Sequence, residues 1–273
     1  MPRIAVAQMT PDPTSVQANL DKARALIADA AEQGAELVVL PEIALMGQDE
    51  AGEPIQHTIP GPATDALAQM AQDAGAWVVM GLREANPAGG KPFNSAVVLS
   101  PEGEIADVYR KVFLYLGEKD GNEAGDEACL LDLGFCTAGL TICYDYIFPE
   151  YIRALVVGGA RLLLHPTAWQ DNDVCRQWNY PAREAYRAQC LVRALENNIF
   201  VASANRARSL DANGNLYQVG GSSVIAPWGE VLAEVDEAEG VAVAELDFAR
   251  ADEWSTSVAP YLKDYLTKTI PEV

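Results

Sequence analysis

Cationic side chains are scarce in this chain: 19 Lys and Arg stand against 39 Asp and Glu, a formal net charge of −20. A surface of that sign repels phosphate backbones and anionic lipid, so neither nucleic acid nor a membrane surface is expected as a partner. The acidic residues are dispersed, with a denser group from Glu234 to Glu239, and read mainly as a solvating surface. Histidine is rarer still, with only His57 and His165 present. A Ser–His or Cys–His dyad would have to use one of them, and no G-x-S-x-G elbow accompanies either. The sequence has no G-x-G-x-x-G and no G-x-x-x-x-G-K-[ST], the loops that cradle nucleotide phosphates. No apolar run approaches the roughly 18 residues of a membrane span. The opening MPRIAVAQMTPDPTS breaks after about seven apolar-leaning residues, short of a signal peptide's apolar region, so a cytoplasmic location is expected. Five cysteines, an odd number scattered over 273 residues, do not resemble a secreted disulfide framework. Cys129, Cys136 and Cys143 recur every seven residues but lack the close pairing that chelates zinc, so neither metal nor cofactor is expected.

What the chain does have is apolar sequence, 49% of it, arranged in short β-branched runs. A chain of this size can bury roughly three quarters of the surface its unfolded form exposes. Residues 3–9 read as a strand, Ser15 to Gln33 as an amphipathic helix, 36–42 as a buried strand, 63–74 as a helix and 76–82 as a strand. Segments 94–100, 103–112 and 128–134 then follow with only turns or a loop between them, which implies antiparallel pairing and an α+β mixture. Alternation resumes with strand 137–145, helix Pro149–Val157, strand 161–167, one long helix from Cys175 to Asn197, and strands 199–206, 221–227, 230–235 and 241–247. Residues 1–250 are expected to form one domain, and 251–273 a polar tail packing on it or on a partner subunit.

Acid, base and thiol groups stand at apparent strand ends. Glu42 follows VVLP, Lys111 ends DVYRK, and Cys143 ends TIC. Taken singly, each has a plain explanation: a solvated terminus, a surface lysine, a small core residue. If the strands end on one side of one sheet system, the three converge. A thiol needs a base or a positive field to attack at neutral pH. A carboxylate shielded from water has a raised pKa, suiting it to take the thiol proton and return it to a leaving amine. An ammonium can hold the oxyanion of a tetrahedral intermediate.

With those residues in view, the chain resembles the nitrilase superfamily of carbon–nitrogen hydrolases. The matching stretches are RIAVAQMTP, LVVLPE, YRKVFL, GLTICYDYIFPE, RALENNIFVASANR and GGSSVIAPWGEVLAE, which together cover nearly its whole length. The resemblance implies a four-layer α-β-β-α sandwich. It implies Cys143 as nucleophile, Glu42 as general base and then acid, and Lys111 as oxyanion partner, with the Tyr144 N–H as a second donor. It also implies an auxiliary carboxylate in the loop after the lysine. Glu118, seven residues before Gly125, fits that place, Glu123 is the competitor, and Ala124 stands where the family has proline. His165, Thr167, Ala168 and Trp169, in HPTAW, match the loop that lines the family's substrate site.

Family members cut nitriles, amides or N-carbamoyl compounds. Tyr144-Asp145 after the cysteine is the form of amidases and carbamoyl hydrolases, so a small carboxylic amide is the expected substrate. N-carbamoyl amines or amino acids and dicarboxylic monoamides are the alternatives, and nitriles come after them. Arg176, near HPTAW, stands where a carbamoylase binds a carboxylate, and equally where a helix displays a surface arginine. A redox thiol or a non-catalytic binding protein would leave Glu42 and Lys111 without a role. By analogy with the family, a homodimer or higher homo-oligomer is expected.

Overall fold

The computed structural model describes residues 1–267. The chain runs through β1 (Arg3–Gln8), α1 (Val16–Glu32), β2 (Leu37–Val39), α2 (Pro62–Ala74) and β3 (Trp77–Glu84). Next come β4 (Phe93–Leu99), β5 (Ile105–Arg110), α3 (Glu118–Gly121), β6 (Leu130–Asp132), β7 (Thr137–Leu140), α4 (Pro149–Val157) and β8 (Leu162–Pro166). The remainder is α5 (Asp173–Gln177), α6 (Ala182–Asn197), β9 (Phe200–Ala204), β10 (Ser209–Leu210), β11 (Leu216–Gln218), β12 (Ser222–Ile225), β13 (Val231–Val235), β14 (Gly240–Glu245), α7 (Phe248–Glu253) and α8 (Tyr261–Thr267).

Side-chain alternation assigns each strand to its layer. In β1, Ile4 and Val6 point one way, Ala5 and Ala7 the other, and all four are fully buried. A strand buried on both faces belongs in the middle of a stack. Two six-stranded sheets result, ordered β14-β1-β2-β3-β4-β5 and β13-β12-β9-β8-β7-β6. In each sheet three parallel strands occupy the middle and antiparallel strands flank them. Ile4, Val6, Leu37 and Val39 of the first sheet pack against Leu140, Leu162, Leu164 and Ala202 of the second. The outer face of the first sheet, with Val38, Val78 and Val97, is covered by Leu20, Ile27, Leu67 and Met70 of α1 and α2. The outer face of the second, with Leu163, Val201 and Ile225, is covered by Ile152, Leu155, Cys190 and Ala194 of α4 and α6. Each Leu, Ile, Val or Met among them contributes about 1.5–3 kcal/mol by leaving water. The architecture is therefore the α-β-β-α sandwich that the resemblance implied.

Several local expectations give way to backbone chemistry. The single helix expected from Cys175 to Asn197 is two, α5 and α6, because Pro181 restricts the residue before it and has no N–H to continue a helix. The strand expected to reach Cys143 stops at Leu140, and Cys143–Ile147 form a 3₁₀ turn. The β10–β11 hairpin and α3 had no counterpart in the strand and helix pattern. Where a polar tail was expected, α7, a π-helical turn at Trp254–Val258 and α8 follow, with Asn198 Nδ2 donating to Ala259 O at 2.7 Å. Residues 268–273 of that expected tail lie outside the described residues. No helix among the described residues is long and apolar enough to cross a membrane.

Candidate active site

The exits of β2, β5, β7 and β8 build one site. β2 ends ahead of Pro41, which cannot donate to a ladder, and Ile43 then turns the chain with φ 44°. That left-handed backbone costs an ordinary side chain of order 1–2 kcal/mol, and two neighbours hold it. The half-buried Arg206 guanidinium donates to Glu42 O at 3.0 Å and to Ile43 O at 3.2 Å. Gly81 of β3 passes directly beneath, its N–H donating to Pro41 O at 3.1 Å. A methyl group on Gly81 would lie 2.6 Å from Glu42 Cα and 2.5 Å from Ile43 N, so only hydrogen fits.

The Glu42 carboxylate points into a buried ion network. Lys111, only 1% exposed, sends Nζ to Glu42 Oε1 and to Glu118 Oε2, both at 2.8 Å. Asn94 Nδ2 bridges the same two carboxylates, at 2.7 Å to Glu42 Oε1 and 3.1 Å to Glu118 Oε1. Tyr115 N–H adds a bond to Glu118 Oε2 at 2.7 Å. Glu123 is exposed and has no part in this network.

Burial alone would raise the Glu42 carboxyl. The Lys111 charge, the bonds from Lys111 and Asn94, and the Arg206 charge outweigh it and hold Glu42 below the ordinary carboxylate range. This is opposite in direction to the raised value expected of a shielded base. Burial works against the Lys111 ammonium, but the Glu42 and Glu118 carboxylates more than compensate and hold it charged.

Cys143 opens the 3₁₀ turn with φ 47°, an unfavourable backbone for a side chain. Asp145 fixes it there. One carboxylate oxygen accepts Ile142 N–H at 2.8 Å and Tyr109 O–H at 2.7 Å, and the other accepts Phe113 N–H at 2.8 Å. Asp145 thus ties the thiol's turn to the segment that carries Lys111, and burial raises its own carboxyl to about 6. Tyr144 lies in the first turn, where backbone N–H groups have no intrahelical acceptor. Burial pushes the Cys143 thiol up to about 12, Glu42 adds to that effect, and Lys111 and Thr167 oppose it. The resting thiol is therefore neutral, half-buried at the cavity and within electrostatic reach of Glu42, Lys111 and Glu118.

Thr167 leaves β8 with its hydroxyl buried and without a hydrogen-bond partner at ordinary distance, and its carbonyl accepts Glu42 N–H at 3.3 Å. Ala168 and Trp169 line a cavity of about 380 Å³ together with Cys143 and Tyr144. Trp169 also packs on Tyr186, ring centres 5.7 Å apart. His165 lies inside β8 instead, stacked on Tyr146 at 4.1 Å with Nδ1 2.9 Å from Thr141 Oγ1, and does not line that cavity. Burial lowers its pKa to about 3, so it is a neutral ring. Arg176 is engaged by Asp173 and Asp211 side chains and by the Asp171 and Leu216 carbonyls. Among the described residues no group of three His, Cys, Asp or Glu side chains is arranged to hold a metal ion.

Two residues of the site, Asn94 and Arg206, carried no assigned role in the sequence, and Asp145 served there only as a marker of substrate class. Asn94 had a signal, a polar residue beside Ser95 at the start of an otherwise apolar strand. Arg206 closes the matching stretch RALENNIFVASANR, where a charge follows a buried run.

The family model described as carbon–nitrogen hydrolase matches residues 3–256. A nitrilase of Pyrococcus abyssi is 37% identical over 254 residues, 90% of each chain. Omega-amidase NIT2-B of Xenopus laevis is 31% identical over 255 residues, 90% of this chain and 88% of its own. The crystal structure of an amidase from Nesterenkonia sp. superposes with a TM-score of 0.75 at 30% identity, covering 96% of this chain and 92% of that one. Other structures of the Nesterenkonia enzyme hold acrylamide or butyramide, and one shows acrylamide added to its active-site cysteine.

Proposed function

The chain belongs to the carbon–nitrogen hydrolase family and is a hydrolase of carbon–nitrogen bonds other than peptide bonds; from that premise we propose that it is a cysteine amidase converting a small carboxylic amide to acid and ammonia. The carrying observation is the 2.8 Å contact of Lys111 Nζ with both Glu42 and Glu118, in a network within electrostatic reach of Cys143.

The chemistry follows from the charges. Glu42 is ionised and Cys143 protonated at rest, so transfer of the thiol proton to Glu42 is uphill until sulfur begins to bond to carbon. Attack and proton transfer are therefore coupled. Cys143 Sγ bonds to the carbonyl carbon while its proton passes to Glu42. The developing oxyanion receives the Lys111 ammonium and the Tyr144 N–H, each such donor being worth roughly 3 kcal/mol. Glu42 then gives its proton to the nitrogen, the C–N bond breaks, and ammonia leaves a thioester on Cys143. Water attacks the thioester and loses a proton to Glu42. That proton returns to sulfur as the C–S bond breaks and the acid departs. Glu118 orients Lys111 and the substrate nitrogen or water. Thr167, Ala168 and Trp169 bound the acyl side, and His165 supports them from beneath.

Ammonia release over short aliphatic amides, N-carbamoyl compounds, dicarboxylic monoamides and nitriles, run beside Cys143→Ala, tests the proposal. No release from any panel, or equal release by the variant, defeats it. A homo-oligomer, a cytoplasmic location and a hydrolase domain of residues 1–250 followed by a packing segment belong to the same proposal. Gel filtration, cell fractionation and limited proteolysis test these in turn.

A further inference from the structure

The cavity in front of Cys143 has two walls made of rings. Tyr115 and Tyr144, ring centres 5.0 Å apart, form one and are braced by Phe148, 5.5 Å from Tyr144. Trp169, Val174, Trp178 and Tyr180, from the segment after β8, form the other. Trp178 is 77% exposed and Val174 47%, so apolar surface stands open to solvent at the mouth of the site. Large apolar groups left open beside a reactive thiol are what a ligand ring would cover.

Charge is missing from both walls. Among the described residues no Lys, Arg, His, Asp or Glu lines the cavity. The nearby cations are spent: Arg176 on two carboxylates and two carbonyls, Arg206 on Glu42 O and Ile43 O, Lys111 on Glu42 and Glu118. A substrate carboxylate would leave water for walls that offer it no counter-ion, which disfavours it strongly. The volume, about 380 Å³, is at the lower end of sites that enclose drug-sized ligands and exceeds what a two- to four-carbon acyl group fills.

We infer that the site takes uncharged amides whose acyl group carries an aryl ring, and rejects monoamides of dicarboxylic acids. The inference rests on the amidase reading above. It separates this chain from the omega-amidases among its relatives by the charge of the acyl group.

Matched substrates test it by ammonia release. 3-Phenylpropionamide should exceed propionamide in kcat/KM by roughly tenfold or more. The monoamide of glutaric acid should fall below its own methyl ester by roughly a hundredfold, since the two differ little except in charge. Trp178→Ala, at an exposed position where folding is not at stake, should reduce the phenylpropionamide-to-propionamide ratio by roughly fivefold. Preference for the free glutaric monoamide overturns the inference and leaves the amidase reading standing. An unchanged ratio in Trp178→Ala, with only the gel-filtration volume altered, makes the segment a contact between copies and also overturns it. No ammonia from any amide overturns both.

Discussion

Two middle strands meet at the site, β2 of the first sheet and β8 of the second, and their exits are built differently. The first sheet delivers Glu42, Asn94 and Lys111, bound to one another and to Glu118 at 2.7–3.1 Å. The second delivers Thr167 from β8 and, beyond the end of β7, Cys143, whose sulfur forms no ion pair. Groups of the first kind are structural and chemical at once, because each neutralises a buried neighbour. The thiol neutralises no buried charge, and its share in the fold is limited to packing at the edge of the core.

Replacing each side in turn can break that contrast. Cys143→Ala should lower kcat by about a million-fold and leave unfolding free energy within about 1 kcal/mol of wild type; a large stability loss would erase the distinction. Glu42→Gln keeps the shape and removes the base, so turnover should fall by about 10²- to 10⁴-fold. Lys111→Met strands the buried Glu42 beside Glu118 without its counter-charge and should cost about 3–5 kcal/mol in urea unfolding. A cost under about 1 kcal/mol, typical of solvent-exposed pairs, would show that the network is not structural.

Asp145 sharpens the contrast through pH. Burial raises its carboxyl to about 6 from the ordinary 3.8, so the folded chain holds a proton there that the unfolded chain has released. Stability from this group is fully present below about pH 4 and is lost as pH rises through 6. The unfolding free energy of wild type minus that of Asp145→Asn should therefore decline by roughly 3 kcal/mol between pH 4 and 7. A flat difference would mean that the three donors keep Asp145 ionised throughout. The smallest effect is expected at Arg206→Lys, where an ammonium replaces a fork that spans two carbonyls. Loss of about 1 kcal/mol of hydrogen bonding should loosen the Glu42 turn and lower kcat about fivefold with KM little changed.

Much of this was legible in the sequence because strands buried on both faces read as continuous apolar runs and end abruptly at charge. VVLPE, VYRK and LTIC each mark such an end, and the structure places all three beside one crevice. What was not legible depends on partners distant in sequence. Asn94 and Glu42 are 52 positions apart, and Arg206 and Glu42 164, so no local pattern pairs them. The sign of the Glu42 shift was missed for the same reason. Burial is visible in an apolar run, whereas the positive charges that overcome it arrive from other strands. The break at Pro181 was visible as a proline but was overridden by the helical pattern on either side.

Gly81 has no side chain to offer a substrate, yet it sets how far the Glu42 turn settles toward the first sheet. Gly81→Ala would lift that turn on a single methyl group and carry the base away from the thiol, which the other sheet holds in place. The spacing between proton acceptor and proton donor is thus gauged by a hydrogen atom on a neighbouring strand. A search for activity-altering positions confined to residues that touch substrate would pass over it.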